Sequence, residues 1–324
     1  MIWSIAVALL LASPPTPPLP SPSTSAPTSP STSPLLDVQW RNDSARTGRL
    51  LVVDVAVAAT VAPLASVAVS LGSHQGVSVP TSTDGRRHLA LVPVSIESTP
   101  GPQVLTVDAT LEGGGFVRWQ KPVPILAGAY DKRTITVSKK FTSPSKAQRI
   151  RAEKESASLT AALATTSPER LWRGSFIKPT PGEMTSPFGT LRTYNKKRKS
   201  RHLGLDLDGD VGAPIVAANG GRVLLAMERF YSGGTVVLDH GQGLITMYFH
   251  MSRIDVVDGQ VVARGQGLGA VGASGQVTGP HLHFCVRLDG LYVDPSHVLT
   301  LDLGADVGDV GSVDSDAVPG GLAR

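Results

Sequence analysis

A single cysteine, Cys285, stands in a chain of 324 residues, so no internal disulfide framework can form and no thiolate-rich zinc site can be built. The H-E-x-x-H pattern is absent, and with it the helix-borne glutamate that such a motif uses as a base. Serine-hydrolase chemistry has no support, because Gly272-Ala273-Ser274-Gly275-Gln276 lacks the final glycine of G-x-S-x-G and no strand-to-helix elbow is evident. Gly267-Leu268-Gly269-Ala270-Val271-Gly272 does fit G-x-G-x-x-G. Gly275, Gly279 and Pro280 follow it, so no helix begins there to hold a pyrophosphate at its N-terminus. The apolar run Ile5 to Ala12 is too short to span a bilayer and about right for the core of a signal peptide. No Lys or Arg precedes it and no clean small-x-small site follows, so a cleaved signal and an uncleaved anchor both fit. No cysteine is present there to carry a lipid. The expectation for residues 1–12 is export to the periplasm, the cell envelope or the medium, with a membrane tether through the N-terminus if the run is kept.

Formal net charge is +4 and the sequence pI about 9.3, a mild basic excess that favours an anionic neighbour such as a cell wall and does not by itself indicate nucleic acid. Residues 13–34 are almost wholly Pro, Ser and Thr, a composition that buries no apolar surface and reads as a disordered linker. From Leu35 to Val137 short apolar runs such as Leu51 to Val57, Ser66 to Leu71 and Leu105 to Leu111 alternate in whole or part at period two, with breakers between them. About seven such strands predict a β-sandwich of immunoglobulin size. His74 and His88 have no companions at ligand spacing and read as surface or loop residues. Ser143-Pro144 reads as the start of one helix, running through Ile150, Glu153, Leu159 and Leu163 to Ala164, with a thin apolar face suited to a lightly packed connector. The tail from Asp302, rich in Gly and Asp, reads as disordered.

Chemistry concentrates further on. In Gly279-Pro280-His281-Leu282-His283-Phe284 two histidines two residues apart on a strand share a face, about 7 Å apart. In His202-Leu203-Gly204-Leu205-Asp206 a straight strand would hold the His and Asp about 13 Å apart, too far for one metal ion. Gly204 can bend the chain between them. Two imidazoles and a carboxylate then make a three-ligand site with an open position, the layout of a catalytic zinc. Spacing does not say which member of the His281/His283 pair is the ligand.

From about Gly182 to His297 the chain resembles zinc metallopeptidases of family M23, the lysostaphin-like or LytM-type endopeptidases of bacterial cell walls. The matching phrases include Thr185-Ser186-Pro187-Phe188-Gly189, His202-Leu203-Gly204-Leu205-Asp206, Gly212-Ala213-Pro214-Ile215, Leu238-Asp239-His240-Gly241, Tyr248-Phe249-His250-Met251-Ser252 and Thr278 to Phe284. The resemblance implies one zinc ion held by His202, Asp206 and His283, with His250 and His281 acting on the substrate from outside the metal's ligands. It implies hydrolysis of peptide stems or cross-bridges of peptidoglycan. Lys139-Lys140-Phe141 through Trp172 also resembles the approach segment of some exported M23 proteins. The fold expected is all-β dominated: an immunoglobulin-like sandwich over 35–137, a helical connector over 138–180, and a β-rich peptidase domain over 181–300 with an antiparallel-sheet groove.

A second reading is a non-hydrolytic wall-binding or amidase-activating module, as in relatives that have lost metal ligands; no ligand is missing here. With H-E-x-x-H absent, proton transfer falls to histidine. By period two Tyr248 and His250 share a face and both reach the groove. Cys285 follows the histidine pair on the same face and reads as a small strand residue, while His240 and His297 read as structural. The run Lys196-Lys197-Arg198-Lys199-Ser200-Arg201 reads as a solvated loop on the rim of the site, able to draw acidic polymer towards it, and not as a nucleic-acid contact.

Overall fold

The computed structural model describes residues 34–195 and 198–304; the apolar run ending at Ala12, the Pro/Ser/Thr stretch through residue 33, Lys196, Lys197 and the tail from residue 305 lie outside the described residues. The first eight strands are β1 (Leu36–Trp40), β2 (Leu50–Val57), β3 (Leu64–Leu71), β4 (His74–Gln75), β5 (Val77–Pro80), β6 (Arg87–Pro93), β7 (Gly101–Leu111) and β8 (Phe116–Ile125). They form two four-stranded antiparallel sheets, ordered β1-β2-β6-β5 and β4-β3-β7-β8.

One of these sheets is buried on both faces. Leu51, Val53 and Val55 of β2 and Ala90 and Val92 of β6 pack against Val69, Leu105 and Val107 of the other sheet. The intervening Leu50, Val52, Leu89 and Leu91, with Val77 and Val79 of β5, belong instead to the core that holds Trp172, Phe176, Val293 and Val298. Double burial is why Leu50-Leu51-Val52-Val53 runs apolar without alternation, the pattern of a strand covered from two sides. His88 lies in β6 and is buried, with Nδ1 unpartnered, so it is neither a surface nor a loop residue: both faces of its sheet are covered. His74 is a part-exposed strand residue 3.6 Å from Asp289.

Strand β9 (Lys132–Ile135) leaves the sandwich and is followed by α1 (Lys139–Thr142) and α2 (Lys146–Ala164). The helix cap is Ser145, not Ser143: its hydroxyl accepts from Gln148 N and the Gln148 side chain accepts from Ser145 N, a reciprocal pair that the earlier Ser-Pro step cannot make. Ile150 points to solvent at 46 % exposure. The helix is instead anchored by Leu159 and by Glu155, whose carboxylate accepts from Phe230 N at 2.7 Å and pairs with Arg151 at 2.5 Å.

The remaining strands are β10 (Met184–Ser186), β11 (Leu191–Tyr194), β12 (Arg198–Arg201), β13 (Leu205–Asp208), β14 (Pro214–Val216), β15 (Gly221–Arg229), β16 (Gly233–Asp239), β17 (Leu244–Ile254), β18 (Val261–Val262), β19 (Gly267–Val271), β20 (His281–Leu288) and β21 (Leu291–Val293), closed by α3 (Pro295–Thr300). A ten-stranded sheet follows the path β10-β13-β20-β17-β16-β15-β18, with β14, β19 and β21 attached. Of residues 256–263, only Val261–Val262 form a strand. Gly267–Val271 is a strand, so the G-x-G-x-x-G phrase opens no helix. The hairpin β11-β12 stands outside this sheet and pairs with β9, parallel to β11. No helix among the described residues is long and apolar enough to cross a membrane.

Because Leu91 is 2 % exposed in the core shared by sandwich and C-terminal sheet, Leu91→Ala is expected to cost about 2–5 kcal/mol and to lower one common unfolding transition. Urea unfolding followed by far-UV circular dichroism and by tryptophan fluorescence checks this. Phe116→Ala, at a side chain 62 % exposed, should stay within about 0.5 kcal/mol of the parent.

Candidate metal centre

Strand register brings two of the site residues together. β13 and β20 are antiparallel neighbours in which Asp206 lies opposite His283 and Asp208 opposite His281. His202 precedes β13 and is not itself in a strand. Its backbone N–H donates to Thr190 O at 2.9 Å and its carbonyl accepts from Gly189 N at 2.7 Å, which ties it to the turn before β11. The chain then bends at Gly204. Its φ is not in the left-handed region, so turn conformation is not what selects glycine; space is. A Cβ there would fall 2.6 Å from Cys285 Sγ, from His283 Cε1 and from Phe284 O.

The bend closes a triangle. His202 Nε2 is 2.9 Å from Asp206 Oδ1 and 2.9 Å from His283 Nδ1, and His283 Nδ1 is 2.7 Å from Asp206 Oδ1. The far side of each group is also engaged. Pro187 O, which can only accept, lies 2.8 Å from His202 Nδ1 and so fixes the proton there, leaving the lone pair on Nε2 facing inward. Cys285 Sγ is 3.2 Å from His283 Nε2 and takes no place in the triangle. Asp206 Oδ2 meets the Arg192 guanidinium. A carboxylate oxygen and an imidazole lone pair at hydrogen-bond distance repel unless a proton or a cation lies between them. The donor set of two imidazoles and one carboxylate suits a borderline-soft divalent ion. Among the described residues, His202, Asp206 and His283 form a group of potential ligands whose donor atoms all lie within 4.8 Å of one another.

Burial works to raise the Asp206 carboxyl, but the His202 and His283 imidazoles beside it outweigh that and hold the group well below the usual carboxylate range. Burial, opposed by Asp206, depresses His283 to about 4. Burial also pushes the Cys285 thiol well above its ordinary value, so without a cation beside it the group is a neutral thiol.

The profile of Peptidase family M23 matches residues 200–295, which span this triangle. Over 79 % of this chain and 95 % of the other, the structure is similar to a crystal structure of a putative peptidase M23 from Pseudomonas aeruginosa, at 32 % identity and a TM-score of 0.58. The chain belongs to peptidase family M23. Two Vibrio cholerae relatives match over shorter stretches. Peptidoglycan DD-endopeptidase ShyA is 42 % identical over 88 residues, 27 % of this chain and 20 % of that protein. Peptidoglycan DD-endopeptidase ShyB is 37 % identical over 108 residues, 31 % of this chain and 25 % of that protein. The chain therefore spans a quarter or less of these two relatives' length.

Two more imidazoles of the M23 region stand beside the triangle. The His250 and His281 rings are 4.9 Å apart, and His250 is 6.0 Å from His283. Each directs Nδ1 at a carbonyl, His250 at Ser274 O and His281 at Gly279 O, both at 2.9 Å, so each keeps Nε2 open. Burial and the neighbouring His283 and His281 depress His250 to about 3. Tyr248, expected on the same face as His250, is not in the groove. It is fully buried, accepts from Ala218 N at 2.9 Å and packs on Phe284. Period two fails because His250 has φ +67, a left-handed residue within β17 that swings its ring to the face of Phe249 and His283.

Sequence reasoning assigned no role to Arg192, or to Ser186 within its Thr185-to-Gly189 phrase: they converge on Asp206 only through the packing of β10 and β11. His240 is enclosed in the core, bonded to Gly220 O at 2.6 Å and Thr246 Oγ1 at 2.8 Å. His297 lies buried in α3 with neither ring nitrogen bonded. Of the basic run, Arg201 is engaged by Glu97 at 2.6 Å and lies over the Tyr130 ring, while Lys199 is exposed.

Burial holds His240 at about 4, against 6.5 for the free side chain. Between those values the unfolded chain binds a proton that the folded one refuses, so the stability contribution is complete above pH 6.5 and is lost as pH falls towards 4. The loss attributable to His240 is expected to be about 3 kcal/mol. Urea titrations of metal-free protein at pH 7 and 4.5 test this, with a shallower pH dependence expected in His240→Asn.

Proposed function

We propose that this chain is a zinc-dependent endopeptidase that hydrolyses peptide cross-links of bacterial peptidoglycan after export to the cell envelope. The observation that carries the reading is the inward-facing triangle of His202 Nε2, Asp206 Oδ1 and His283 Nδ1 with two further imidazoles beside it. The M23 match and the two relatives named peptidoglycan DD-endopeptidases support the substrate class. The organisation that goes with it is an immunoglobulin-like sandwich over 35–137, a connector over 138–180 and a peptidase domain over 181–300.

His202, Asp206 and His283 would hold the ion. When bound, zinc supplies a Lewis acid and a water of lowered pKa. The chain's own residues do the rest. His250 is neutral at physiological pH, and its open Nε2 can take a proton or, once protonated, give one. His281, with its side chain 16 % exposed and Nε2 3.8 Å from Asp206 Oδ1, reaches the same space. Between them the two nitrogens divide proton transfer and hydrogen bonding to the developing oxyanion. Phe249 stacks on the His283 ring at 5.5 Å and keeps that ligand's plane fixed from the apolar side.

Zinc analysis of the purified full chain and release of new amino groups from purified peptidoglycan test the proposal together. His202→Ala and Asp206→Ala are expected to lose stoichiometric zinc and all release. His250→Ala and His281→Ala are expected to keep zinc while the rate falls by about 10²–10⁴-fold. Bound zinc without amino-group release in the parent would instead favour a wall-binding module.

A further inference from the structure

The two oxygens of Asp206 have different partners. Oδ1 faces His202 Nε2 and His283 Nδ1. Oδ2 meets Arg192 Nη2, and the same nitrogen lies 2.8 Å from Ser186 Oγ. Both ionic partners are nearly enclosed, with side-chain exposures of 13 % for Arg192 and 9 % for Asp206. Arg192 is also fixed at its root. Its strand β11 pairs with β12, where Arg192 lies opposite Ser200, and with β9, where it lies opposite Arg133. The entry to β11 is held in turn by Tyr130, whose hydroxyl donates to Thr47 O and whose ring fills the space beside Gly189. Gly189 has φ +82, and a Cβ there would lie 2.0 Å from the Tyr130 ring, so no other residue fits without moving the tyrosine.

We propose that Arg192 is a positioning residue of the metal centre, holding Asp206 by Oδ2 so that Oδ1 alone faces the two histidines. The inference rests on the metal-site reading above and goes beyond it. An aspartate carboxylate turns easily about its last side-chain torsion and can present one oxygen or two to a cation. A charge-assisted bond from a planar guanidinium that is itself tied to Ser186 removes that freedom. Partners of this kind set the orientation of a ligand, and their loss commonly weakens metal binding about 10–100-fold.

Charge and position act in opposite directions here, which makes the inference testable by sign. A guanidinium near a divalent ion repels it, so charge alone requires tighter zinc binding in Arg192→Gln and unchanged binding in Arg192→Lys. Positioning requires weaker binding in both, because lysine Nζ ends one bond and glutamine Nε2 two bonds short of where Arg192 Nη2 meets Asp206 Oδ2 and Ser186 Oγ together. Zinc affinity of the full chain, measured by chelator competition, is expected to fall about 10–100-fold in Arg192→Gln and by a similar or smaller factor in Arg192→Lys. The visible spectrum of the cobalt-substituted protein is expected to weaken in both as Asp206 turns to offer two oxygens.

Unchanged or tighter zinc binding in Arg192→Gln, with the parental cobalt spectrum, overturns the proposal. Should that variant not fold, as judged by circular dichroism, Ser186→Ala removes the guanidinium's second anchor and is expected to weaken zinc binding several-fold; parental affinity there overturns the proposal equally. His202→Ala separates the two levels. If the parent binds no zinc, the metal-site reading falls and this inference with it. If the parent binds zinc, His202→Ala does not, and Arg192→Gln binds like the parent, only the role of Arg192 falls.

Discussion

Repulsion between electron-rich atoms is the constraint around which the C-terminal half of this protein is arranged. An imidazole lone pair and a carboxylate oxygen held 2.9 Å apart, with a second imidazole nitrogen 2.7 Å from the same oxygen, are stable together only with a proton or a cation among them. The fold nonetheless fixes each atom from behind: a carbonyl on His202, a guanidinium on Asp206, a thiol sulfur and a stacked phenyl ring on His283. A site whose ligands are oriented before anything binds loses little entropy on binding, and the flanking His250 and His281 keep one nitrogen each open by the same device.

The sandwich is continuous with this arrangement. Its sheet β1-β2-β6-β5 contributes one face to the core of the C-terminal body, and Gly48 O accepts from Asp294 N at the start of α3. The strand leaving it, β9, completes the small sheet that carries Arg192. Contacts that run from Thr47 through Tyr130 to Gly189 and on to His202 give the N-terminal half a direct mechanical connection to the site.

Much of this was legible in the sequence where the signal is local. The period-two runs gave the strands of the sandwich, and the His-x-Gly-x-Asp and His-x-His phrases, with the family resemblance, gave the five residues that the fold gathers. What the sequence hid depends on long-range packing or on one exceptional backbone angle. Arg192 meets Asp206 by a side-chain contact between two different sheets, which no local pattern encodes. Tyr248 and His250 part company because one residue has φ +67. His88 is buried because its sheet is covered twice, and the unbroken Leu50 to Val53 run was the available sign of it. The need for Gly204 was visible, but its reason is the closeness of Cys285 and His283, which only the folded strands reveal.

The most direct test of the central claim is X-ray absorption at the zinc edge on the metal-loaded full chain. Convergence of His202, Asp206 and His283 on one open-sided ion requires four nitrogen or oxygen neighbours at about 2.0–2.1 Å, with imidazole scattering from two histidines. A sulfur neighbour at about 2.3 Å, which would draw Cys285 into the site, or a shell without imidazole, would contradict it.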